Sequence, residues 1–105
     1  DRVPDQTMLV DARSAVAEHI QATRGTDYLF AYSAMGMPIS LNMGKISGEK
    51  VNGHWYNPRD GKATAFGATV ENKGTQTFVP PGMGQGQDWV LVLDDASKNY
   101  KTPGR

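Results

Sequence analysis

Hydrolysis by paired carboxylates needs two acidic side chains converging on one cleft, and the acidic residues of this chain are not placed to do that. Asp60, Glu71, Asp88, Asp94 and Asp95 each lie beside a turn or at the end of an apolar run, where a solvated carboxylate serves local turn chemistry. No catalytic residues are assigned. His19 and His54 fall in separate segments without metal-ligand spacing, and Asp94 with Asp95 lacks the further oxygens that calcium requires. The expected metal and cofactor content is therefore none. The run Pro80, Pro81, Gly82, Met83, Gly84, Gln85, Gly86, Gln87 has the glycines of a phosphate loop but not the Lys-Ser/Thr pair that follows them, so it reads as a connection between sheets with Met83 at its centre.

Aromatic and guanidinium groups are the remaining candidates. Tyr28 and Tyr32 share one face of an alternating segment with Phe30, and Trp55 and Tyr56 are adjacent, so one of that pair faces a core and the other faces outward. Arg59 follows at a turn. Outward rings can stack on a sugar, on the proline rings of an extended peptide or on another domain. Tyr28, Tyr32, Trp55, Tyr56 and Arg59 form the expected binding or domain-docking surface.

The elements that carry these residues are strands. Twelve glycines and six prolines cut the chain into short aromatic and β-branched segments. The expected fold is an all-β, antiparallel sandwich of about seven or eight strands. Seven are placed at His19 to Arg24, Tyr28 to Ser33, Pro38 to Asn42, Lys50 to Tyr56, Ala63 to Thr69, Thr75 to Val79 and Asp88 to Asp94. Asn57, Pro58, Arg59, Asp60, Gly61 is a hairpin turn, with Pro58 presetting φ and Gly61 supplying a positive one. The links Gly25 to Asp27 and Ala34 to Met37 are of hairpin length, which makes the first three strands antiparallel neighbours. Ile46, between Gly44 and Gly48, is expected to plug the core, and Trp89 to open a core strand. Asp11 to Ala17 can form a short helix behind Asp11.

Both Tyr28 to Ser33 and Asp88 to Asp94 are apolar on two faces. A sandwich buries one face of each sheet, so the second needs cover, either from the domain's own N-terminal segment or from another domain. At 105 residues the chain makes one domain, too short for a (β/α)8 barrel of ~200 residues or more. Eleven basic residues balance eleven acidic ones and no basic stripe exists, which argues against nucleic acid. There is no cysteine, so a disulfide framework is excluded. No apolar run approaches the ~18 residues of a membrane span, and no signal peptide is present, so no membrane partner is expected.

Trp55, Tyr56, Asn57, Pro58, Arg59, Asp60 and Gly61, then Phe78, Val79, Pro80, Pro81, Gly84, Gly86 and Asp88 through Leu93, resemble the putative collagen-binding domain. Val3 to Gln6 and Tyr28 to Ser33 resemble its opening, so the likeness runs from Arg2 to Asp95. In that family the domain follows apiosidase-like glycoside hydrolase barrels of bacteria. The resemblance implies a non-catalytic accessory domain, packed on an N-terminal (β/α)8 glycoside hydrolase domain of the same chain that acts on complex polysaccharide. The alternative it implies is an independent binding module for collagen or a glycan. It also implies an extracellular or periplasmic location. The expected organisation is a segment from a preceding catalytic domain at 1–18, the sandwich at 19–96 and a flexible tail at 97–105. A chain that starts at Asp1 instead of methionine fits a domain excised from a larger enzyme.

Overall fold

The computed structural model describes residues 3–10, 20–82, 84 and 86–98. Among the described residues nine strands run in order: β1 (Val3–Pro4), β2 (Ile20–Arg24), β3 (Tyr28–Ser33), β4 (Ile39–Asn42), β5 (Lys50–Asn57), β6 (Lys62–Ala65), β7 (Val70–Glu71), β8 (Thr75–Phe78) and β9 (Trp89–Asp95). The large sheet has the order β1-β2-β3-β9-β5-β6, with β7 also on β5, and the small sheet pairs β4 with β8. Every pairing is antiparallel.

The last strand fills the centre of the large sheet, between β3 and β5. That position explains its continuous apolar run, because a central strand is flanked on both edges and its two faces both meet neighbouring side chains. Leu91 and Leu93 point inward with Val51 and Trp55 of β5, and meet Ile39 and Leu41 of β4 across the core. Ile46 is buried, as expected, and Asn72 holds its loop in place. The Asn72 amide donates to Ile46 O and Gly48 O at 2.8 Å each, while its Oδ1 accepts from Gly44 N at 2.8 Å.

The hairpin turn between β5 and β6 forms where expected. Gly61 has φ 74 and donates to Asn57 O at 2.8 Å, while the Asn57 and Asp60 side chains accept from Arg59 N and Lys62 N, both at 2.9 Å.

Three expectations are corrected. Ala34 to Met37 is not a hairpin: it carries the chain from β3 in the large sheet to β4 in the small one. Ala63 to Thr69 is not one strand, because Phe66 turns inward onto Gly53, Gly67 takes φ 86, and pairing with β5 resumes only at Val70. The fold also starts before residue 19. Val3 and Pro4 pair with Arg24 and Thr23, and Met8 and Leu9 are core residues. Gln6 extends this pairing with its side chain, donating from Nε2 to Ile20 O at 2.9 Å and accepting from Ala22 N at 2.8 Å. The helical turn expected at Asp11 to Ala17 and the ligand candidate His19 lie outside the described residues, as does Met83.

Asp95 ties the end of β9 to two loops. Its carboxylate accepts from Ser47 Oγ at 2.6 Å and from Ser97 Oγ and N at 2.7 and 2.9 Å. These bonds hold it below the ordinary value of 3.8, and Thr7 and Arg24 do the same for Asp5. A carboxyl whose folded pKa is depressed stabilises the fold above its unfolded pKa and loses that contribution as pH falls through the folded value. Stability measured by denaturant melts should therefore drop on acidification below about pH 4. The drop should be shallower in Asp95→Asn, which no longer titrates at this site.

Candidate functional site

The large sheet has a second face, turned away from the core, and side-chain alternation decides what it carries. Three cross-strand rows follow from the register. One runs Gln21, Tyr32, Val90, Tyr56, Ala63, and the next Thr23, Phe30, Val92, His54, Ala65. The third aligns Tyr28, Asp94 and Asn52. This is an aromatic and aliphatic surface with two ionisable side chains sunk into it. Tyr28 and Phe30 pack with ring centroids 5.4 Å apart, and the Tyr28 ring lies over Gly25, where a Cβ would stand 2.4 Å from it.

At the end next to the hairpin, Arg59 closes the face. Its Nε meets Asp88 Oδ1 at 3.2 Å, its Nη2 donates to Asp88 O at 3.2 Å, and its guanidinium lies 5.0 Å from the centre of the Trp89 ring. Tyr32 donates to the same carboxylate at 3.0 Å, and that bond to Asp88 raises the phenol above its ordinary value. At the other end Asp94 is 3% exposed, and desolvation pushes its carboxyl up against the opposing pull of His54 and Asn52.

Of the surface residues expected from the sequence, Tyr28, Tyr32 and Tyr56 come together on this face and Arg59 borders it. Trp55 does not join them: it is 7% exposed and packs in the core 6.2 Å from Phe66. The adjacent pair therefore divides as alternation requires, with Tyr56 outward. Trp89 is on the inner face but only half-buried, at the rim of the core and under Arg59. Phe30, His54 and Asp94 also belong to this face, and the alternation that selects Tyr28 and Tyr32 selects Phe30 with them.

Three of the acidic residues have structural partners. Asp88 pairs with Arg59, Asp95 with Ser47 and Ser97, and Asp60 caps its own turn. Among the described residues no group of three or more His, Cys, Asp or Glu could hold a metal ion, and no helix is long and apolar enough to cross a membrane.

A family model described as "Putative collagen-binding domain of a collagenase" matches residues 3–94. Among solved structures, a protein titled "Glycoside hydrolase" is similar at 36% identity over 95% of this chain, with a TM-score of 0.84. A glycoside hydrolase family 5 protein from Bacteroides vulgatus is similar at 34% identity over 95% of this chain, with a TM-score of 0.85. The chain spans 22% of the length of each of these two proteins. No curated protein matches it.

Proposed function

The chain belongs to the putative collagen-binding domain family, and from that premise we propose that it is a non-catalytic accessory domain of a glycoside hydrolase. It packs by the outer face of its large sheet on a (β/α)8 catalytic domain of the same chain and holds that domain in place. The observation that carries the reading is the composition of that face: Tyr28, Phe30, Tyr32, Val90 and Tyr56, all at least partly exposed, surround the buried Val92 on a sheet whose other side already forms the core. Contacts between domains of one chain bury ~600–1,500 Å² and are often partly apolar. The outer layer of a (β/α)8 barrel is a ring of helices, on which a sheet face can pack. The similar glycoside hydrolases support the reading from their length, since most of each chain lies outside the matched part. The barrel's reaction on complex polysaccharide, in an extracellular or periplasmic setting in a bacterium, belongs to the same proposal.

The competing function, a free module for collagen or a glycan, would use the same aromatics as an open platform. Titrating the chain with triple-helical peptide and with pectic oligosaccharides separates the two. Docking predicts no saturable binding tighter than about 10 μM. Tighter binding, lost in Tyr32→Ala or Tyr56→Ala while the chain stays folded, would establish the binding module instead.

A further inference from the structure

The ladder between β5 and its neighbours β6 and β7 is broken in the middle. Antiparallel pairing holds as far as His54 with Ala65 and resumes at Val51 with Val70, so Asn52 and Gly53 on β5 face the longer segment Phe66, Gly67, Ala68 and Thr69. The surplus residues cannot pair, and they bow away as the longer side of a bulge does. Phe66 N still donates to Gly53 O at 2.9 Å, which pins the start of the segment. Between the segment and β5 a cleft of about 270 Å³ opens.

The cleft adjoins the docking face. Asn52, His54 and Ala65, which line it, stand in the outer cross-strand rows with Tyr28, Phe30 and Val92, so a domain that covers those rows covers the cleft as well. Among the described residues no lysine, arginine, aspartate or glutamate lines it. Gly53, Ala65, Gly67 and Ala68 offer only backbone and methyl groups, the Asn52 side chain is already hydrogen-bonded to Asp94, and Nδ1 of His54 is shut away from the surface. Left empty beneath a docked domain, such a space forfeits the dispersion contacts of all its walls.

Resting on the docking reading above, we infer that the cleft is a socket for one large apolar side chain of the catalytic domain, a leucine or an aromatic. Its volume favours a single group, since pockets that enclose a whole drug-sized ligand run to ~300–1,000 Å³. A socket already formed in the chain needs little ordering when the partner arrives. The seated side chain fixes the register of the two domains, which a flat apolar contact leaves free to slide.

The test fills the socket. Ala65→Leu and Ala68→Leu do so from its two sides, and both positions are exposed, so the melting temperature of the chain alone should move by less than about 3 °C. In the longer glycoside hydrolase chain each should make limited proteolysis at the junction between the domains about tenfold faster. Thr64→Leu adds the same bulk at an exposed position on the opposite face of β6, outside the cleft, and should leave cleavage unchanged. Tyr56→Ala tests docking itself. Faster cleavage in Tyr56→Ala, with both alanine variants at the wild-type rate, overturns the socket and leaves docking standing; no change in any of them overturns both. Equal acceleration in Thr64→Leu would trace the effect to added bulk on β6 and also overturn the socket. Titrating the chain with pectic oligosaccharides examines the other occupant: saturable binding abolished by Ala65→Leu would assign the cleft to a sugar and contradict the proposal.

Discussion

Replacing Trp55 with alanine should destabilise the chain by about 3–5 kcal/mol, while Tyr56→Ala, one residue on, should cost less than about 1 kcal/mol. The contrast follows from the pleat. Trp55 is 7% exposed and lies among Val51, Leu91 and Phe66 on the inner face, where its loss removes a large apolar area and leaves a cavity that the surrounding strands cannot close. Tyr56 is half-buried on the outer face, and water can fill the space it leaves. Urea melts of the two variants measure the difference directly. A larger loss for Tyr56→Ala than for Trp55→Ala would mean that the register of β5 against β9 is shifted by one residue, which would exchange the two faces.

Gly53→Val should be nearly as severe, at roughly 3 kcal/mol. Gly53 does not need an unusual φ; it needs to have no side chain. A Cβ there would stand 2.2 to 2.3 Å from the Phe66 ring, and a valine adds two more carbons to that overlap. Phe66 cannot move away cheaply, because it stacks on Phe78 at 5.8 Å and tilts against Trp55 at 6.2 Å. Its backbone is tied to the same residue, with Phe66 N donating to Gly53 O at 2.9 Å. The substitution therefore evicts the ring that links the large sheet to β8. Gly53→Ala is the graded version and should fall between wild type and valine in the same melts. A near-neutral valine would show that Phe66 has another place to go.

Much of this architecture is legible from local signals. The aromatic alternation of β3, the apolar run of β9 and the Asn57 to Gly61 turn each carry their own physical cause, so β3 and the β5–β6 hairpin fall where the residues alone put them. What failed depends on contacts distant in sequence. The break after Ala65 exists because Phe66 finds Gly53, and nothing in Ala63 to Thr69 announces that partner. Likewise Ala34 to Met37 has hairpin length, yet the edge that would receive β4 is taken by β9, which arrives fifty residues later in the chain. Short β1 and β7 have too few residues for a pattern, and Gln6 and Asn72 act through side-chain amides that no periodicity reveals. The outer face is half visible: period-two reading gives the tyrosines, but not how deeply His54 and Asp94 are buried.

On the proposed docking, a catalytic domain covers the outer face of the large sheet. Hydroxyl-radical footprinting of Tyr28, Tyr32 and Tyr56, read by mass spectrometry, tests it in one comparison between this chain alone and the longer glycoside hydrolase chain. Tyr32 is 37% exposed and the other two are half-buried, so all three should be modified in the chain alone. The account predicts that Tyr32 and Tyr56 become strongly protected in the longer protein, while exposed Val79, on no part of this face, keeps its reactivity. Equal modification of Tyr32 and Tyr56 in both proteins would show the face open to solvent and would contradict the account.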